Sequence, residues 1–280
     1  WGDWGENRDM RLIYAAWHYM ALDAAARMAD LLGKTQDAYL YRQKMTQVKR
    51  GYNACWTGKA YRHPTFTGDT DDRVQALAII SGIADTDKYP AISKLLRTQK
   101  HASPYMEKYV MESLFQMGDG EYAMERAHER YHHMVMDSLH TTLYEGWLAG
   151  ANGFGGGTTN HAWSGGPLTV IAQYLMGVSV REPGWKVFSV CPVPVRFKKA
   201  DISIPTIRGM VKTAFQLGET TDVYSITVPR DTHAYYYLPC QDAAQAKGAE
   251  AYICTDSKVQ KEGRLCLLLP AGNYKFKVRK

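Results

Sequence analysis

The sequence predicts a multidomain chain of α and β parts: helical hairpins forming a bundle or a partial α/α toroid, then an antiparallel β-sandwich. Three observations carry that expectation. Apolar residues recur at helical spacing as far as about position 178. The period changes after Pro183-Gly184. Short alternating or β-branched runs then follow one another with no helix between them. The expected domains are 1–180, helical, and 181–280, all-β.

Each element has its own signal. Leu12, Ala15, Ala16, Tyr19, Leu22, Ala26 and Ala29 mark a first helix that Gly33 stops. A second, from about Gln36 to Tyr52, follows after so short a connection that the two form an antiparallel hairpin. The polar stretch Thr57–Thr70 interrupts the pattern. Helices resume near Asp71–Ser81, Pro90–Thr98, Pro104–Met117, Glu121–His133 and His161–Leu175, too few for a complete six-hairpin toroid. Between Leu139 and Gly166 the pattern lapses, and Gly153-Phe154-Gly155-Gly156-Gly157 is too permissive for a regular element. A long irregular segment inside a compact domain is either a functional loop or a surface excursion. Strands are expected at Trp185–Cys191, Gly209–Leu217, Val223–Val228, Ala234–Leu238, Ala251–Thr255, Leu265–Leu269 and Tyr274–Val278.

Composition excludes several classes. A net charge of +6 without a dense basic run interleaved with aromatics argues against nucleic-acid binding. No run of eighteen apolar residues exists, so no membrane-spanning helix is expected. Cys55, Cys191, Cys240, Cys254 and Cys266 show no metal-ligand spacing; they read as free thiols, with a disulfide among the last four as the alternative. No metal or cofactor is expected. Tyr and Trp far outnumber Phe, and rings with a polar handle suit both wet clefts and large helical cores.

Carboxylates with aromatic neighbours are the chemistry left. In Thr141-Thr142-Leu143-Tyr144-Glu145-Gly146-Trp147, Glu145 lies between two rings. It is either a desolvated acid–base group or a solvated loop carboxylate. Asp3 and Glu6 flank Trp4, where acidic residues also simply favour a helix N-terminus. Asp69 or Thr70 reads as the cap of the third helix, and Asn160 or Thr159 as the cap of the helix whose first turn holds His161. His132 and His133 complement a helix C-terminus. There is no nucleophile elbow and no phosphate cradle, so paired-carboxylate glycoside hydrolysis fits best.

At these residues the chain resembles the bacterial α-L-rhamnosidases of glycoside hydrolase family 78. The likeness runs through Gly2-Asp3-Trp4, Tyr61-Arg62-His63-Pro64, Gly68-Asp69-Thr70-Asp71-Asp72-Arg73, Ala102-Ser103-Pro104-Tyr105-Met106-Glu107, the Glu145 motif, Asn160-His161-Ala162-Trp163-Ser164-Gly165-Gly166-Pro167 and Gly184-Trp185-Lys186-Val187-Phe188. The resemblance implies an inverting exo-hydrolase acting on a rhamnose-containing glycoside or polysaccharide. It also implies an (α/α)6 catalytic toroid with a β-sandwich after it. It makes Glu145 the general base and sets Asp3, Trp4, Trp147, Asn160, His161 and Trp163 around the sugar. It puts the general acid upstream of Gly2-Asp3-Trp4, so the chain is expected to be a piece of a longer enzyme, weakly active alone. The resemblance favours export; the residues themselves carry no signal of compartment or oligomeric state. Two rivals stand beside this reading. One is a carbohydrate-binding or scaffold piece using the sandwich. The other is a related toroid hydrolase for another sugar, pairing Glu145 with Asp3 or Glu6.

Overall fold

The computed structural model describes residues 1–150 and 157–280, so 153–156 of the expected glycine-rich loop lie outside the described residues. The chain divides into two compact units, Trp1–Pro167 and Leu168–Lys280.

The first unit is built of helices α1 (Met10–Leu31), α2 (Thr35–Asn53), α3 (Asp72–Ile80), α4 (Tyr89–Leu96), α5 (Pro104–Gln116) and α6 (Gly120–Val135). α1 buries the stripe Leu12, Ile13, Ala16, Leu22, Ala26 and Ala29, and α2 folds back on it beyond Gly33. α3 packs on α5, and α5 on α6. α3 starts later than expected. Its cap is Asp71, whose side chain accepts from the Arg73 N–H, and neither Asp69 nor Thr70 caps it. Every residue of α3 from Asp72 to Ile79 is buried, charged ones included. Buried charges must be paired, and here they are. Arg126 of α6 donates to Asp72 of α3 at 2.8 Å and to Glu107 of α5 at 3.0 Å, and Arg130 reaches the same Glu107. The lattice locks three helices in one register.

The segment expected as a helix over His161–Leu175 is broken in three. A 3₁₀ turn spans Ala162–Gly165, α7 spans Gly166–Val170, and a π turn spans Ile171–Leu175. Two glycines and Pro167 deny it a regular start. His161 therefore precedes the turn in extended conformation (φ −137°), and neither Asn160 nor Thr159 forms a helix cap.

The second unit carries two sheets. Strands β1 (Val178–Val180), β2 (Val187–Val190), β6 (His233–Leu238) and β8 (Leu265–Leu269) form one, in the order β1-β2-β6-β8. Strands β3 (Lys199–Thr206), β4 (Gly209–Gln216), β5 (Thr221–Val228), β9 (Gly272–Arg279) and β7 (Ala246–Lys247) form the other, in the order β3-β4-β5-β9-β7. The ladders are antiparallel except β2–β6, which are brought side by side in parallel because the chain between them builds β3–β5 of the other sheet. Period-2 alternation appears cleanly in β5, where every second residue is buried. Inner faces meet through Tyr236 and Phe276, whose rings lie 6.0 Å apart. The expected strand at Ala251–Thr255 is instead a 3₁₀ turn, Glu250–Tyr252, followed by a single bridge from Ile253 to Leu267. All five cysteines are free; Cys240 and Cys266 are buried.

Candidate functional site

The segment after α6 doubles back on itself. The Glu145 N–H donates to the Thr158 carbonyl at 2.8 Å, and the His161 N–H to the Leu143 carbonyl at 2.9 Å. The Gly150 N–H donates to the Gly157 carbonyl at 3.2 Å. Gly157 sits at φ +70°, and a Cβ there would fall 1.9 Å from the Gly150 oxygen, so only glycine closes this end. Side chains finish the clamp. Trp163 Nε1 donates to the Glu145 carbonyl at 3.0 Å, Ser164 Oγ to the Tyr144 carbonyl at 2.5 Å, and Thr142 Oγ1 to the Thr159 carbonyl. The Tyr144 hydroxyl binds Asp137. That contact, with His140 and two backbone amides, holds the Asp137 carboxyl well below the usual carboxylate range.

This frame tucks Glu145 in, with only 6% of it exposed, which excludes the solvated loop carboxylate. Thr158 Oγ1 donates to Glu145 Oε2 at 2.7 Å. His161 Nδ1 stands 3.8 Å from the same oxygen, beyond hydrogen-bond length but within ion-pair range. Rings continue from there. The His161 ring is 4.3 Å from that of Trp163, and Trp163 stacks on Trp1 at 5.6 Å with 14° between planes. Tyr105 lies 5.3 Å from Trp163, and Trp4 meets the edge of Trp1 at 6.0 Å. A buried carboxylate, an imidazole and a wall of flat rings with polar edges are thus neighbours.

The other expected residues are distributed unequally. Asn160 is exposed next to His161. Trp147 turns to α6: its N–H donates to the Ala102 carbonyl at 2.8 Å, Arg130 covers its face at 3.9 Å, and Tyr131 meets it at 5.0 Å. Asp3 corrects an expectation. It has no exposed surface, and its Oδ2 accepts from Arg73 Nη1 and from the Ser103 N–H, each at 3.0 Å. Its Oδ1 has no hydrogen-bond partner among the described residues, and the ion-paired carboxylate pins the turn that carries Trp4. Glu6 is exposed.

Sequence reasoning missed the residue that organises that turn. Arg73 uses all five N–H donors of its guanidinium. They go to Asp71 Oδ1 (2.7 Å), Asp3 Oδ2 (3.0 Å) and the carbonyls of Trp4 (3.1 Å), Glu6 (2.8 Å) and Asn7 (2.9 Å). Burial pushes the Asp71 carboxyl up to about 6 despite the Arg73 charge. Asp71-Asp72-Arg73 was conspicuous in the sequence as a helix start and within the family resemblance, but neither gave Arg73 a role. Thr158 and Tyr105 carried no signal of their own. Among the described residues no group of three or more His, Cys, Asp or Glu is arranged to hold a metal, and no helix is long and apolar enough to cross a membrane.

Comparison with known proteins bears on this arrangement. Residues 1–175 match the family model described as the bacterial alpha-L-rhamnosidase 6 hairpin glycosidase domain, and residues 177–252 match that of the bacterial alpha-L-rhamnosidase C-terminal domain. No curated protein matches. Among solved structures, the chain is similar to the alpha-L-rhamnosidase of Dictyoglumus thermophilum (TM-score 0.81, 23% identity, 100% of this chain and 34% of that one). It is also similar to the Streptomyces avermitilis enzyme solved with L-rhamnose (0.78, 19%, 99% and 28%) and to that of Aspergillus terreus (0.75, 19%, 98% and 31%). At these identities the likeness is one of fold. The chain spans about a third of the length of each of these chains.

Proposed function

The chain belongs to the bacterial α-L-rhamnosidase family, and from that premise we propose that it is the general-base half of an inverting glycosidase that removes terminal α-L-rhamnose from glycosides or polysaccharides. The observation that carries this reading is Glu145: nearly buried, held by the Thr158 hydroxyl, beside His161, and bordered by rings.

Glu145 takes a proton from a water as that water attacks the anomeric carbon on the face opposite the leaving group. A fixed carboxylate suits this, because the orientation cost is met before the reaction starts. Thr158 fixes one oxygen and leaves the other for the water. Trp163, Trp1 and Trp4 offer apolar faces to the sugar's C–H surface, and His161 and Asn160 offer polar atoms to its hydroxyls. Asp3 and Trp147 act as positioning residues, through Arg73 and through Arg130. Inversion requires the general acid roughly 6.5–9.5 Å from the base. The buried carboxylates of Asp3, Asp71, Asp72 and Glu107 are all committed to arginines. The family resemblance, rather than this geometry, sets the general acid upstream of Gly2-Asp3-Trp4, and the reading adopts that position for it.

The test is Glu145→Gln in the enzyme that contains this chain. Amide for carboxylate keeps the size and removes the base, so turnover of an aryl α-L-rhamnoside falls at least about a hundredfold. Turnover within a few-fold of the unaltered enzyme would refute the assignment. Proton NMR of the anomeric configuration of the sugar released in the first minutes, before mutarotation, separates inversion from retention.

A further inference from the structure

A second cluster of rings and charges lies away from Glu145, in the β-sheet unit. Period-2 alternation in β6 turns Ala234, Tyr236 and Leu238 to the core and Tyr235 and Tyr237 to the other face of the sheet. Over that outer face runs the 256–261 segment, tied down by the Tyr237 hydroxyl donating to the Val259 carbonyl at 2.7 Å. Between segment and sheet is a cavity of about 360 Å³, lined by Arg181, Glu182, Tyr235, Tyr237, Lys258 and Lys261 among others. That volume is at the small end of the usual range for ligand sites.

Its charge leans positive: Arg181, Lys258 and Lys261 line it with Glu182, and Asp256 is the other carboxylate near enough to act on Tyr235. Arg181 is oriented by its Nε donating to Ser189 Oγ at 3.0 Å, and Lys261 Nζ stands 4.7 Å from the centre of the Tyr237 ring. Among the described residues none of the three cations is in an ion pair. The groove along α1 and α2 is different: its Arg42 and Lys49 are already paired with Asp30 and Asp85. Here Tyr235 remains half-buried, with a flat face and a polar edge. An aromatic face beside a planar guanidinium and two ammonium groups matches a pyranose that carries a carboxylate.

We propose that this pocket binds a uronic-acid unit of a glycan, with the sugar ring on Tyr235 and its carboxylate toward Arg181, Lys258 and Lys261. The anion half stands on the pocket alone; the saccharide half rests on the glycosidase reading. The site anchors an acidic saccharide without acting on it.

The test is calorimetric titration of residues 1–280, at low salt, with a trimer of galacturonic acid, the neutral galactose trimer and inorganic phosphate. The acidic trimer is expected to bind saturably, the neutral one roughly tenfold more weakly or worse, and phosphate not to compete at equal concentration. Lys258→Gln with Lys261→Gln should weaken the acidic trimer roughly tenfold, while Glu145→Gln leaves its affinity unchanged. Absent saturation, equal binding of the neutral trimer, an unaffected double variant, or displacement by equal phosphate each overturns the proposal. Hydrolysis is not read, so uronide binding that persists where Glu145→Gln leaves turnover intact would sink the glycosidase reading and keep the pocket.

Discussion

Replacing Arg73 with methionine probes how the ring wall is held. The variant keeps most of the side-chain volume and deletes five hydrogen bonds, two of them to buried carboxylates. Asp3 and Asp71 lose their counter-charge, and three carbonyls lose a donor. Breaking a buried ion pair from one side costs about 3–5 kcal/mol. For a unit of this size each kcal/mol lowers the midpoint by about 2–4 °C. A drop of roughly 6–20 °C in thermal unfolding, followed by calorimetry, is therefore expected. Lysine at the same position keeps the charge but offers only three donors, so Arg73→Lys should fall between. Because residues 3–7 hang on Arg73, tryptophan emission should shift to the red in the methionine variant as the Trp1–Trp163 stack loosens. A midpoint within about 2 °C of the unaltered protein would show that Arg73 is not the clamp.

Three further outcomes can be checked. Thr158→Val removes the hydroxyl that orients Glu145; a hydrogen bond to a charged group contributes about 1.5–3 kcal/mol. Turnover in the full enzyme should thus fall roughly ten- to hundredfold with KM little changed, and Thr158→Ser should restore it; equal rates for Val and Thr would refute the role. Trp163→Ala should raise KM for an aryl rhamnoside roughly tenfold through loss of ring contact, with Trp163→Phe recovering most of it, whereas an unchanged KM would remove Trp163 from the sugar wall. The Asp137 carboxyl is lowered in the fold by its Tyr144 and His140 hydrogen bonds. Its contribution is therefore present above the unfolded aspartate value of about 3.9 and lost as pH falls through the folded one. Unfolding midpoints of Asp137→Asn and the unaltered protein should differ by a constant amount above about pH 5, with the gap starting to narrow only below about pH 4 and closing as pH falls through the depressed folded value; a gap independent of pH would refute this account.

Local pattern was enough for the elements that bury one face. The 3.6 period of α1 and the period-2 alternation of β5 announce which side is covered, because burial selects side chains at fixed angular steps. The broken helix after His161 escaped the same logic: the apolar spacing continued through Gly165-Gly166-Pro167, and backbone freedom, not hydrophobicity, decided the outcome. The parallel β2–β6 pair was equally unreadable, since strands more than forty positions apart carry no mark of their neighbour.

At the site the division is sharper. Glu145 stood out as a candidate by its residue type between two rings, and Trp4 and His161 by the family resemblance; the fold links His161, Trp163, Trp1 and Trp4 through ring contacts beside Glu145. Folding alone settled that Asp3 is sealed against Arg73, that Trp147 turns to Arg130, and that Thr158 supplies the hydroxyl for Glu145. Asp3 and Arg73 are 70 positions apart. Ion pairing and desolvation depend on three-dimensional distance, and a linear order of residues holds that distance only where the chain is locally regular.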